Sequence, residues 1–227
     1  MGFTLEKIVP WGRSFDEYIN MFALTGKDLS VRILSCGDGP AAFNATLTKR
    51  GGSVVSVDPV YAFDAAQIQH RIAETCEIVM AQMHKNKNDY IWEDIPSVEA
   101  LGKIRISAME DFLADFANGK REGRYVTGEL PFLPFENGQF DIALSSHFMF
   151  LYSAHLPVEF HIQAIREMLR VAREVRIFPL LTLDGALSPH FPAVNEYFST
   201  HGFSVNSLHV RYEFQRGGNQ MLVIRSA

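Results

Sequence analysis

The chain has 227 residues, 47% of them hydrophobic and 21% charged, which suits one α/β domain with a full core rather than separate cofactor and substrate domains. Its formal net charge of −5 opposes a broad phosphate-neutralising surface, so nucleic acid is not the expected partner. The two cysteines, Cys36 and Cys76, form no CxxC pair, which argues against a disulfide framework or a thiolate zinc site and fits a reducing, cytoplasmic setting.

The first residues, MGFTLEKIVPW, show no basic-then-apolar leader, and Glu6 stands where a myristoylation signal needs Ser or Thr. No apolar run reaches the ~18 residues that span a bilayer, so no membrane partner is expected. The apolar runs VRILSC (31–36), SVVSVD (53–58) and FDIALSS (140–146) read as buried parallel strands. Between the first two, PAAFNATLTKRGG supplies a helix ended by Gly51–Gly52, making a βαβ unit. Residues 60–123 form a long excursion with helical patterns around 64–84 and 107–118, joined by KNKNDYIWEDIPS. An insertion of that size predicts a lid over a site, against the alternative of a decorative helical layer.

GRYVTGEL predicts a further strand, and VEFHIQAIREMLRVA (158–172) a helix that runs into the strand EVRIFPLL, ended by Pro179. At the C-terminus Leu208, Val210, Tyr212 and Phe214 alternate with polar residues, QRGGNQ supplies a turn and MLVIR returns. That predicts an antiparallel hairpin. The expectation is a doubly wound α/β fold in which residues 1–227 form a single domain.

ILSCGDGPAAF (33–43) is the stretch that bears on function. Gly37 and Gly39 allow positive φ and close backbone approach to a ligand, and Pro40 is tolerable at a first helical position. Asp58 closes the second strand 21 residues after Gly37, placed to accept hydrogen bonds from ribose hydroxyls. As G-x-G-x-x-A the turn is compatible with the pyrophosphate of NAD or FAD, and it resembles the GGGPAG turn of flavin enzymes. A ligand-free glycine turn is the third option.

The rest of the chain favours another cofactor. About thirty residues precede the turn, no second domain follows it, and GELPFLPFENGQFDIALSSHFMFLY offers an acid, a Pro-rich loop and a strand ending in Ser145, Ser146 and His147. The chain resembles the class I S-adenosylmethionine-dependent methyltransferases, over roughly 30–60 and 124–225. ILSCGDGPA is similar to the family's first motif, with Ser35 replacing its acid and Ala41 its third glycine. VVSVDP resembles the second-strand motif, GELPFLPF the stretch before the fourth strand, and AIREMLRVAREVRIFPL the next helix and strand. GRSFDEY and YEFQRGGNQML are similar to a bacterial subgroup.

The resemblance implies a Rossmann-like methyltransferase fold, a mostly parallel seven-stranded sheet with the C-terminal antiparallel hairpin. It implies S-adenosyl-L-methionine as cofactor, held by Ser35, Gly37, Asp38, Gly39, Asp58, Pro59, Val60, Glu129, Leu130 and Ser146. Arg13 and Tyr18 precede the first strand, where the family closes its site; Arg13 is expected to meet the cofactor carboxylate, its alternative being a solvated helix cation. His147 is the candidate catalytic residue, as general base, and otherwise a pocket wall. Arg166, Arg170 and Arg173 read as a solvated stripe, because Glu167 and Glu174 interleave. The histidines show no metal-ligand spacing.

The expected reaction is methyl transfer to a small-molecule acceptor by a monomer or homodimer. The competing readings are a small FAD or NAD oxidoreductase and a non-catalytic adenosylmethionine-binding module, the latter suggested by the missing motif acid.

Overall fold

A computed structural model describes residues 11–226 of the chain, so the reading of the first ten residues lies outside it. Seven strands form one sheet: β1 (Arg32–Cys36), β2 (Ser53–Val57), β3 (Tyr125–Val126), β4 (Phe140–Ser146), β5 (Ala172–Phe178), β6 (Phe203–His209) and β7 (Gln220–Ser226). Their order is β3-β2-β1-β4-β5-β7-β6. β1 to β5 pair in parallel, and β7 runs antiparallel to both β5 and β6. This is the mostly parallel, Rossmann-like seven-stranded arrangement with a C-terminal antiparallel hairpin expected from the sequence.

Helices cover both faces, and the period of two along the strands decides which side chain meets which layer. Ile33 faces α1 (Phe15–Met21) and α2 (Phe43–Lys49), while Leu34 and Cys36 face α5 (Val158–Val171) and α6 (Phe191–Thr200). α2 ends as the sequence predicts, with Gly51 at φ 84°.

The long excursion holds two helices, α3 (Ala65–Lys85) and α4 (Val98–Arg121), packed against each other. α3 starts from a capping box of Asp64 and Gln67. α4 begins well before the helical pattern seen in the sequence, because the Ser97 hydroxyl accepts from the Ala100 N–H and caps it there. No helix among the described residues is long and apolar enough to cross a membrane.

Two elements differ from expectation. The strand predicted in GRYVTGEL shrinks to Tyr125–Val126, since the following Pro131 and Pro134 cannot donate to a ladder. The C-terminal hairpin exists, but its first strand is Phe203–His209, with Val205 opposite Ile224. Residues 210–219 are the connection. Phe203 and Val205 of the strand pack on the α6 side of the core, whereas Tyr212 and Phe214, beyond the strand, pack in separate clusters with Tyr18 and with Tyr90.

Arg170 also departs from the solvated stripe. It pairs with Glu167 at 2.7 Å and donates to the carbonyls of Phe135 and Leu133, while Glu167 accepts from the Leu133 N–H. The pair fastens the proline-rich loop that follows Glu129 and Leu130.

Candidate functional site

β1 lies between β2 and β4, so chain connections leave it in opposite directions along the sheet. A crevice opens at the C-terminal ends of the strands at such a switch point. Here it is a cavity of about 440 Å³, within the usual range for small-molecule sites. Arg13, Tyr18, Gly37, Asp38, Gly39, Asp58, Pro59, Val60, Glu129, Leu130, Ser146 and His147 all line it. Of the residues assigned to cofactor binding or catalysis from the sequence, Ser35 alone does not.

The turn after β1 is shaped by its glycines. The Gly37 N–H donates to the Val57 carbonyl at 2.9 Å, prolonging the ladder, and the residue sits at φ 64°. A Cβ at Gly37 would lie 2.9 Å from the Phe148 ring, whereas a Cβ at Gly39, at φ 55°, would meet nothing within 4 Å. Gly37 is therefore required for conformation and space, and Gly39 for conformation only.

Asp38 turns inward. Its carboxylate accepts from the hydroxyls of Tyr18, Ser35 and Ser56. Burial pushes its pKa up, and the three hydroxyls oppose that rise. Ser35, fully buried, thus holds the acid of the turn from below. Tyr18 reaches Asp38 while its ring stacks on Phe43 at 4.6 Å, so α1, α2 and the turn are braced together.

Asp58 caps the short 3-10 turn Pro59–Ala62, its Oδ1 accepting from the Val60 N–H at 2.8 Å. Its Oδ2 accepts from the Gly39 N–H at 2.9 Å, which joins the ends of β1 and β2. Burial raises its pKa to about 6 against these two N–H bonds. A carboxylate has four lone-pair sites, so two remain for a ligand. Glu129 stands exposed at the rim, and the buried Leu130 forms the wall beside it.

Ser146 ends β4 and His147 follows it. The Ser146 Oγ lies 2.9 Å from His147 Nδ1, and the His147 N–H donates to the Phe178 carbonyl at 2.7 Å. His147 adopts φ 51°, unusual for a non-glycine residue. Burial, then the charges of Arg13 and Arg105, hold its imidazole pKa well below the ordinary value. The ring is neutral at physiological pH and a weak proton acceptor.

A buried cluster lies beyond these residues, and sequence reasoning did not find it. Arg105 of α4, 1% exposed, forms an ion pair with Glu17 of α1. Glu17 also accepts from the Tyr212 hydroxyl at 2.8 Å and the Ser14 N–H at 2.9 Å. Burial alone would raise the Glu17 carboxyl, but Arg105 outweighs it and the pKa falls to about 2. The sequence did carry a signal. Leu101, Arg105, Ala108, Phe112 and Phe116 share the buried face of α4, so Arg105 is a charge set in an apolar helical stripe.

Arg13 stands next to this cluster. Its backbone carbonyl accepts from the Ala42 N–H at 3.0 Å, and its guanidinium donates to the Trp11 carbonyl. Val79 and Met83 of α3 and Leu101 and Arg105 of α4 line the cavity as well. Among the described residues no group of three His, Cys, Asp or Glu side chains is arranged to hold a metal ion.

No family model matches the chain. Among solved structures, it is similar to magnesium protoporphyrin IX methyltransferase (ChlM) from Synechocystis PCC 6803 with bound SAM, with a TM-score of 0.45, 12% identity and coverage of 88% of this chain and 73% of that one. It is also similar to a putative S-adenosyl-L-methionine-dependent methyltransferase of Methanococcus maripaludis, with a TM-score of 0.42, 15% identity and coverage of 93% and 82%. A curated relative, the "uncharacterized protein MJ0045" of Methanocaldococcus jannaschii, is 30% identical over 223 residues, 98% of each chain. That relative is archaeal, whereas the sequence suggested a bacterial grouping. With this identity across nearly the full length of both, the chain belongs to the same family as MJ0045 of Methanocaldococcus jannaschii.

Proposed function

We propose that the protein is an enzyme that transfers a methyl group from S-adenosyl-L-methionine to a small-molecule acceptor by in-line displacement. One observation carries this reading: the two-glycine turn, the strand-end acid Asp58 and the rim acid Glu129 converge on a single cavity at the switch point of the sheet.

The residues fit an adenosyl ligand. Gly37 and Gly39 bring backbone rather than side chain to the cavity wall. The free lone pairs of Asp58 suit a ribose diol, Glu129 an exocyclic amine, and Pro59, Val60 and Leu130 the faces and edge of a flat ring. Ser146 marks the β4 side. Tyr18 and Ser35 act at one remove, by fixing Asp38.

When bound, the cofactor supplies a methyl group already activated on a sulfonium, so the chain chiefly aligns the reactants and excludes water. Such alignment is worth up to ~7–11 kcal/mol for a well-oriented pair. α3 and α4, which line the cavity, provide the exclusion and support a small acceptor over a macromolecular one. His147, neutral and fixed through Ser146, sits where it can accept a proton from the acceptor or serve as wall; its low basicity favours the wall.

Calorimetry with S-adenosylhomocysteine, S-adenosylmethionine, NAD and FAD tests the cofactor. Binding of the adenosylmethionine pair, with loss of at least tenfold in affinity in D58A, is expected. Binding of NAD or FAD in their place overturns the assignment in favour of an oxidoreductase. Radiolabelled methyl transfer into small-molecule extracts then separates an enzyme from a non-catalytic module.

A further inference from the structure

Away from the glycine turn, the cavity wall changes from polar to apolar at α3 and α4. Trp11, Val79, Met83, Tyr90, Leu101 and Phe214 line this half, and the rings of Tyr90 and Phe214 stack with centroids 4.9 Å apart. Flat aromatic walls beside a thioether suit a ring-bearing ligand.

Three arginines line the cavity: Arg71, stacked over the Phe63 ring, and the neighbouring pair Arg13 and Arg105. The Arg105 charge is met by Glu17, whose oxygens also take the Tyr212 hydroxyl, the Ser14 N–H and the Ser14 hydroxyl. Arg13 has no carboxylate partner of its own among the described residues. It donates to the Trp11 carbonyl, and its Nε is sealed from solvent without an acceptor. The Nε of Arg105 is likewise buried and unpartnered. Among the described residues the two guanidiniums thus share one carboxylate, Glu17, and each keeps a buried Nε without an acceptor, an arrangement that an anion entering the cavity relieves.

Arg13 lines the cavity within electrostatic reach of Tyr90 of the apolar wall. The charged and titratable groups that act on it are Arg105, Tyr212, Glu17 and Tyr18, and it in turn acts on Tyr90 and His147. The segment behind it is pinned, since a Cβ at Gly12 would collide with the Pro40 carbonyl. The backbone that carries the guanidinium is thus held, the Trp11 carbonyl takes one of its N–H groups, and its planar fork suits a carboxylate on two others.

We propose that this half of the cavity seats the methyl acceptor, and that the acceptor is an apolar, ring-bearing organic acid whose anionic oxygen pairs with Arg13. The proposal rests on the methyltransferase reading above, and it moves Arg13 from the cofactor carboxylate to the acceptor. Burial, and after it the charges of Arg13 and Arg105, keep His147 neutral, and the same two causes disfavour an ammonium beside it, so amine acceptors are selected against.

The test uses the full chain saturated with S-adenosylhomocysteine and titrated with phenylacetate, phenylacetamide and phenethylamine. Phenylacetate is expected to bind at least tenfold more tightly than the amide or the amine. R13Q is expected to lower phenylacetate affinity at least tenfold while S-adenosylhomocysteine affinity stays within twofold, which also shows that the variant is folded. R13K, which keeps the charge but not the fork, should retain part of the preference for the acid.

Equal binding of the three probes by the unaltered chain, or binding of none, overturns the proposal. So does an equal loss of phenylacetate and S-adenosylhomocysteine affinity in R13Q, which assigns Arg13 to the cofactor. Failure of the unaltered chain to bind S-adenosylhomocysteine overturns the methyltransferase reading itself.

Discussion

Glu17 and Arg105, on helices that enter the fold 88 residues apart, form a buried ion pair at the edge of the cavity. With Tyr212 it links α1, α4 and the loop before β7. One carboxylate therefore ties α4 to α1 and to the C-terminal hairpin. Removing either partner strands a buried charge, so R105M or E17Q should each cost about 3–5 kcal/mol of stability, and the double variant less than their sum. Urea unfolding of the three variants measures this. Additive losses would show that the two residues act independently.

The same carboxylate makes the fold acid-sensitive. The Glu17 pKa is lowered from 4.5 to about 2, so the folded state binds fewer protons than the unfolded chain between those values. Its stabilising effect is complete above the unfolded value and is lost as pH falls through the folded one. The wild type should lose stability more steeply than E17Q between pH 4.5 and pH 2. Unfolding midpoints across that interval provide the comparison.

Asp58 has the opposite sign. Its pKa is raised from 3.8 to about 6, so stability attached to this group falls as pH rises through that window. Ribose hydroxyls donate to the ionised form, which makes ligand binding strengthen over the same interval. S-adenosylhomocysteine affinity should drop up to tenfold per unit as pH is lowered below about 6. In D58N the profile should be flat. A matching slope in D58N assigns the dependence to another group.

Gly37 and Gly39 separate conformation from space. An alanine at either must adopt a positive φ, at a cost of ~1–2 kcal/mol. G37A additionally drives a methyl into Phe148 and should be the more damaging. The F148L background should recover part of the G37A loss and none of the G39A loss. Thermal unfolding of the single and double variants tests this coupling.

His147 titrates far below its ordinary value, so turnover should show no inflection near pH ~6.5 from this residue. Folded protein resists protonating it, and the associated stability is lost as pH falls through and below that region. H147Q should lower S-adenosylhomocysteine affinity little. A fall in turnover of about 10²-fold or more would assign it general-base duty, whereas a change of a few fold leaves it a wall.

Much of the fold is legible along the chain because its signals are local. The apolar runs 31–36, 53–58 and 140–146 become β1, β2 and β4 nearly residue for residue, and Gly37, Gly39 and Asp58 mark the strand ends that meet at the switch point. A strand buried on both faces needs only its own apolar residues, and a turn only its own glycines, so short stretches suffice. The hairpin was legible in kind and wrong in place, since an alternating pattern does not say whether its apolar residues serve a sheet or a distant pocket.

The sequence by itself determined the sheet's plan, the glycine turn and the acid beside it. Tertiary structure decided the rest. It turned Asp38 inward onto Ser35, Ser56 and Tyr18, set Arg105 against Glu17 and Tyr212, and left Arg13 as a pocket cation with no carboxylate of its own among the described residues. Those outcomes depend on pairings across up to 195 residues of chain. Charge compensation in a buried cluster is fixed by which segments pack together, and no local pattern encodes it.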